Sequence, residues 1–323
     1  RRMNRRVAAI DCGTNSIRLL VAEEQSDGSL RDIAREMKIV RLGHGVDRTG
    51  RLDPEAIERT LEATRQYARV IEQNAVEGVR FAATSASRDA ENRAEFIDGV
   101  REILGIEPEV IEGTEEAVLS YRGAVATLPD PGPSPRLIVD IGGGSTELVY
   151  GEDAPRAEIS LDMGSVRLTE RHLSADRVSE GDIEAAVRDI DALIDEASQT
   201  IDFSAVRGIV GVAGTVTTLT AVALGLEEYT PEVSHGASID AEEFTALSYR
   251  ILRSSAAELS ALPAIHPGRI DVIGAGALIW ARILERVANE GTLERVTTSE
   301  HDILDGIAMS VLDSLSLEAP QRG

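Results

Sequence analysis

A single cysteine, Cys12, stands in 323 residues, so no internal disulfide can form. Its apolar surroundings read as a place for a small buried hydrophobe, not a nucleophile. Aromatic residues are only 3% of a sequence that is 42% hydrophobic. Cores must therefore be built mainly from Ala, Val, Ile and Leu. No apolar run reaches the length of a membrane span; the best, from Val272 to Ile283, is short and contains Arg282. His44, His172, His235, His266 and His301 show no metal-ligand spacing, which argues against a zinc site. Basic residues are outnumbered, 33 Lys and Arg against 56 Asp and Glu, for a net charge of −23. That balance disfavours nucleic acid and anionic membrane as partners. A cytoplasmic location is the resulting expectation.

What the chain does have is a repeated turn. Ala9 to Val21 reads AIDCGTNSIRLLV, and Ile138 to Tyr150 reads IVDIGGGSTELVY. Each is an apolar strand, an Asp, a tight turn of small residues, and a second apolar strand. Asp11 matches Asp140, Gly13 matches Gly142, and Ser16 matches Ser145. The pattern predicts two β-hairpins from a duplicated domain, with their turns facing each other across a cleft. Glycine reaches backbone angles that let successive amides converge, and such nests bind phosphate oxygens. The candidates are Gly13, Thr14, Asn15 and Ser16 in the first turn, and Gly142, Gly143, Gly144, Ser145 and Thr146 in the second. An Asp beside such a turn is suited to a cation that bridges to phosphate, as Mg²⁺ does with one or two carboxylates. Asp140 and Glu147 flank the second turn, and Asp11 flanks the first. Arg18 stands where the second copy has Glu147. One half is built for a cation and the other for an anion. The net charge does not oppose this, because charges beyond roughly 8 Å are screened.

Strands alternate with helices in both halves, which argues an α/β fold. Arg35 to Leu42 and Val79 to Ala83 read as strands, and Glu109 to Glu112 as another. Asp53-Pro54 starts a helix, with Asp as cap and Pro at the first position. Thr84 to Asp89 reads as a polar loop, followed by a helix from about Ala94 to Leu104. Gly113 opens a helix to about Ala126. Pro129, Pro131, Pro133 and Pro135 form the clearest linker. It predicts domains over residues 1–128 and 136–323, with the last helix free to pack back on the first. In the second half, Asp182 to Glu196 is an amphipathic helix, Ile209 to Ala213 a buried strand, and Gly214-Thr215 a third glycine–hydroxyl turn at a helix N-terminus suited to an anion. A long helix follows Ile270, and a final one runs from about Asp302 to Leu315.

Six segments in order, Asp11–Leu20, Thr84–Asp89, Gly113–Gly123, Asp140–Leu148, Gly214–Leu219 and Arg269–Leu278, resemble the exopolyphosphatase / guanosine pentaphosphate phosphohydrolase (Ppx/GppA) family. The resemblance implies two actin-like (ribonuclease H-like) domains of the acetate/sugar kinase–chaperone–actin superfold, with a phosphate-binding cleft between them. It implies that Glu116 is the catalytic base and that Arg88 contacts terminal phosphates. A carboxylate can orient a water in line with phosphorus and take its proton. A guanidinium can grip phosphate through two parallel hydrogen bonds. Asp140, Glu147 and Asp11 would hold Mg²⁺ (or Mn²⁺), and Gly214 and Thr215 would bind substrate. Arg122, Arg167, Arg171 and Arg269 could extend a track for a longer anion. The family further implies a homodimer.

The chain departs from the family in one motif. Many relatives carry Gly-Leu-Arg-Glu-Gly near the last helix, where this chain has Asp302-Ile303-Leu304-Asp305-Gly306. An arginine is missing and an acid has been gained. Longer relatives also continue into a third helical domain, for which this sequence leaves no room. Both departures favour short polyphosphate, or a nucleotide-linked phosphate, over long processive degradation. The readings are a Mg²⁺-dependent exopolyphosphatase, a phosphatase of guanosine pentaphosphate, an ATPase or kinase of the same superfold, and a non-catalytic phosphate-ligand sensor. The third loop, Val212-Ala213-Gly214-Thr215, lacks the paired glycine that helps form an adenosine pocket. The presence of Glu116 argues against the sensor.

Overall fold

The computed structural model describes residues 4–318. Contacts divide them into two compact units. The first holds residues up to Glu112 and those from Ile303 onward; the second runs from Gly113 to Asp302. Each is α/β with one mixed sheet, and both follow one plan.

In the first unit, β1 (Arg6–Cys12), β2 (Ser16–Glu24) and β3 (Leu30–Ile39) form an antiparallel meander. β4 (Gly78–Ala83) joins β1 in parallel and β5 (Glu109–Val110) joins β4, giving the order β3-β2-β1-β4-β5. The helix Pro54–Gln73 starts as its sequence dictates, with the Asp53 carboxylate accepting from Glu55 N at 2.8 Å. It buries Ile57, Leu61 and Tyr67 in a core with Ile10, Leu19, Phe81 and Phe96. The Tyr67 hydroxyl donates to Ile17 O at 2.8 Å. The final helix, Ile303–Glu318, packs on β1, β2 and β4.

In the second unit, β6 (Arg136–Ile141), β7 (Thr146–Gly151) and β8 (Pro155–Leu161) repeat the meander. β9 (Gly208–Val212) joins β6 in parallel. With β10 (Ser238–Asp240) and β11 (Arg295–Thr298) the order is β10-β11-β9-β6-β7-β8. The duplication extends to register: Asp11 pairs with Arg18 across the first hairpin, and Asp140 with Glu147 across the second. Even the turn bond repeats, Gly13 N to Ser16 O at 3.0 Å and Gly142 N to Ser145 O at 2.9 Å. The helix Glu180–Ala197 opens with a capping box between Ser179 and Asp182. The helix Ile273–Glu290 buries Trp280 edge-on to Phe244, with ring centroids 5.5 Å apart. This doubled plan agrees with the actin-like architecture that the family resemblance implies.

Several boundaries differ from the sequence expectation. β3 begins at Leu30 and ends at Ile39. Thr84 to Asp89 is not a loop: Ser85–Asp89 forms a short helix. The helix Ser165–His172 and the strand β8 are elements that the sequence expectation does not include. The unit boundary falls at Glu112, not in the proline segment. The physical reason is that the helix Gly113–Val125 buries Ala117, Tyr121 and Ala124 against Ile138, Val149, Val210 and Val212 of the second unit. Residues from Ile303 likewise belong to the first unit, so the division at 1–128 and 136–323 is corrected at both ends. Among the described residues, no helix is long and apolar enough to cross a membrane.

Candidate active site

Three acidic side chains of the second unit are almost fully buried together. Asp140, near the end of β6, and Glu147, near the start of β7, lie opposite one another and are 5% and 1% exposed. Glu116, in the first turn of the helix Gly113–Val125, is buried as well. One helical turn on, the Ser120 hydroxyl donates to Asp140 Oδ2 at 2.5 Å. That bond ties the helix carrying Glu116 to the strand carrying Asp140. Glu147 Oε1 accepts from the hydroxyls of Ser145 at 2.7 Å and Ser160 at 2.6 Å. Its other oxygen, Oε2, is buried with no hydrogen-bond partner. Burial pushes the Glu147 carboxyl well above the usual carboxylate range, and the charges of Glu116 and Asp140 push it further.

Two glycine turns flank this cluster. The Gly142–Ser145 turn joins Asp140 to Glu147. The turn after β9 is beside it, because Asp140 pairs with Val212 in the parallel β6–β9 ladder. There Ala213 takes the left-handed conformation, with φ 70°. Such a backbone favours glycine, the residue absent from this position. Gly214 marks a close approach: a Cβ on it would lie 1.9 Å from the Arg269 guanidinium and would displace that flexible side chain. Arg269 is thus seated directly on the third turn, at the N-terminus of the helix Ala213–Ala223.

The first unit holds a different set of groups. Asp11 Oδ2 accepts from Arg18 Nη2 at 2.7 Å and Nε at 3.2 Å. Thr14 Oγ1, Asn15 Nδ2 and Ser87 Oγ are buried without hydrogen-bond partners. Buried polar atoms are rarely left so, and three such donors in one unit fit an anion or water. Arg88 Nη1 donates to Ile111 O at 2.8 Å, and Thr84 N donates to Cys12 O at 3.1 Å. Burial raises the Cys12 thiol well above its ordinary pKa, which leaves it a packing residue.

A model of the Ppx/GppA phosphatase family matches residues 20–315. The chain belongs to the Ppx/GppA phosphatase family. It is 43% identical over 314 residues to Exopolyphosphatase 2 of Mycobacterium tuberculosis, with 95% of this chain and 98% of that protein covered. A crystal structure of an exopolyphosphatase-like protein superposes with a TM-score of 0.93 at 44% identity, covering 97% of this chain and all of the other. The Ppx/GppA family member of Aquifex aeolicus follows at 31% identity and a TM-score of 0.79, with 98% and 100% covered.

Within this Ppx/GppA chain, Glu116, Asp140, Glu147, Gly142 to Thr146, Gly214 and Thr215 all fall in one unit. Gly13, Thr14, Asn15, Ser16, Arg18, Asp11 and Arg88 fall in the other. Two hydroxyls that the sequence suggests as substrate ligands have protein partners: Ser145 serves Glu147, and Thr146 Oγ1 donates to Met163 O at 2.8 Å. Asp11 has a cationic partner in Arg18, and Arg171 of the suggested track pairs with Asp189 at 3.4 Å. Ser120, which lies within the Gly113–Gly123 segment but is not among the candidate residues, and Ser160, outside every motif, also join the site. Nothing local marks Ser160, whereas the placement of Ser120 four residues after Glu116 is a legible helical signal.

The residues of the second unit fit a hard divalent cation. Among the described residues no three His, Cys, Asp or Glu form a cage for a metal. Mg²⁺ does not need one, because it keeps several waters and uses one or two carboxylates with substrate phosphate. Asp140 and Glu147 meet that requirement, and Glu147 Oε2 is a buried carboxyl oxygen without a hydrogen-bond partner.

Proposed function

We propose that this protein is an exopolyphosphatase, which hydrolyses the terminal phosphoanhydride of inorganic polyphosphate and releases orthophosphate by direct attack of water. The observation that carries the reading is the buried cluster of Glu116, Asp140 and Glu147 beside two glycine turns. Glu116 is the base: its carboxylate orients the water and accepts its proton. Asp140 and Glu147 would hold Mg²⁺ (or Mn²⁺). When bound, the ion supplies positive charge against the phosphate oxygens. The amides of the Gly142–Ser145 turn and the guanidinium of Arg269 offset charge on the transferred phosphoryl. In the first unit, Arg88 and the donors of Thr14 and Asn15 form a further set of anion-binding groups.

Short chains are the preferred substrates. Leu304, where the family motif carries arginine, is apolar and buried, so no cation stands there. Asp305 next to it is engaged by Arg35 Nη2 at 2.5 Å. A cytoplasmic setting is part of the same proposal.

The test is orthophosphate release from tripolyphosphate, long polyphosphate, guanosine pentaphosphate and ATP, each with Mg²⁺ and with EDTA. Mg²⁺-dependent release that is fastest from tripolyphosphate is expected. Release mainly from guanosine pentaphosphate would replace this substrate with the nucleotide. Binding without release from any of the four would overturn the enzyme reading.

A further inference from the structure

An amide nest works only if its carbonyls are held elsewhere. In the second turn, every glycine carbonyl is taken up by one short segment. Ser165 N donates to Gly142 O at 2.9 Å. Val166 N and Arg167 N both donate to Gly143 O, at 2.9 and 3.0 Å. Gly144 O receives a side chain, Arg167 Nε at 2.7 Å. The segment can approach because residue 164 is glycine: a Cβ there would lie 2.3–2.5 Å from the backbone of Gly143 and Gly144. The Thr146–Met163 bond clamps the far end.

In the first turn, backbone amides take up the carbonyls of Thr14 and Asn15. Val40 N and Arg41 N donate to Asn15 O at 3.1 and 3.0 Å, and Gly43 N donates to Thr14 O at 2.9 Å. In the turn joining Asp140 to Glu147, a guanidinium is among the groups that do so.

We infer that Arg167 is a positioning residue for the second phosphate turn: by binding the Gly144 carbonyl it keeps that oxygen away from the substrate and the neighbouring amides facing it. This rests on the proposed phosphate chemistry of the site, and it replaces the sequence reading of Arg167 as part of a track for longer anions. The atom that makes this bond is Nε–H.

Two variants separate the roles. Arg167→Gln places its Nε2 donor at the same bond position as Arg Nε but carries no charge. Arg167→Lys keeps the charge and puts a methylene there. We expect Arg167→Gln to retain kcat/KM within about threefold and Arg167→Lys to lose about tenfold or more, mainly in kcat, by the same factor for tripolyphosphate and longer chains. The opposite order, with a loss that grows with chain length, would make Arg167 a substrate contact and overturn the inference. Equal loss in both variants with a lowered Tm would overturn it in favour of a packing role. If the wild-type protein hydrolyses none of the substrates, calorimetric binding of tripolyphosphate with Mg²⁺ decides the matter separately. Weaker binding in Arg167→Lys alone supports the inference, and unchanged binding in both ends it.

Discussion

The two hairpins share strand order, register and turn bond, yet they handle the paired carboxylate in opposite ways. In the first, the cross-strand partner of Asp11 is Arg18, and the charges cancel at 2.7 Å. In the second, the partner of Asp140 is Glu147, and Glu116 adds a third acid from a helix. A single position, 18 against 147, decides whether a hairpin is electrostatically closed or leaves negative charge to be balanced from outside. Desolvation makes this matter, because an uncompensated buried charge is costly whereas a paired one is tolerated. Duplication thus supplied two equal backbones, and side chains divided the labour.

The largest effect expected from disturbing this contrast lies on the acidic side. Glu116→Gln should lower kcat at least about a hundredfold, as for a lost general base, while tripolyphosphate binding persists. Near-normal turnover would remove Glu116 from the chemistry.

On the neutral side, Arg18→Met strands Asp11 as a buried charge. Chemical denaturation should show a loss of about 2 kcal/mol, below the full cost of a broken buried pair because Arg18 is partly exposed. Adding Asp11→Asn should restore most of it. No change in the single variant would mean that the pair is not what neutralises Asp11.

Glu147→Gln should act in the opposite direction. The Glu147 pKa is raised by folding, so the folded state binds the extra proton and stability falls as pH rises above the ordinary value of 4.5. In EDTA at pH 7 the variant should therefore melt above the wild type. The gap should close as the pH falls towards 4.5, where the carboxyl is protonated in the folded state and increasingly so in the unfolded one. Mg²⁺ should raise the Tm of the wild type, and the variant should lose most of that rise. A variant less stable than wild type in EDTA would indicate that the protein itself compensates the cluster.

The smallest effect belongs to the third turn. Ala213→Gly relieves a left-handed backbone at φ 70°, and a gain of about 0.5–1 kcal/mol in unfolding free energy is expected. A loss instead would assign more weight to the packing of the Ala213 methyl group.

The repeated turns are legible in the sequence because a hairpin is a local object. Alternation, a tight turn and the flanking Asp lie within a dozen residues, and nothing distant is needed to form them. The cap at Asp53 and Pro54 is legible for the same reason. The proline cluster misleads, because it marks where the chain cannot continue a helix, whereas a unit boundary is set by what the neighbouring elements bury. Ala117, Tyr121 and Ala124 carry the helix of Glu116 into the second unit, across that linker in sequence. The final helix crosses the other way, with Val311 and Leu315 lying over Gly78.

The sequence by itself determined the doubled α/β plan, the phosphate-type turns and the acids and arginines beside them, since local backbone preference and side-chain chemistry suffice for those. Only the tertiary structure decided which groups act on each other. Ser120 reaches Asp140, Ser160 reaches Glu147, Arg269 lies on Gly214 and Arg167 grips Gly144. Those contacts join residues separated by 13 to 55 positions. Burial enforces them: a polar group removed from water must find its partner wherever packing brings one, and no local pattern records where that will be.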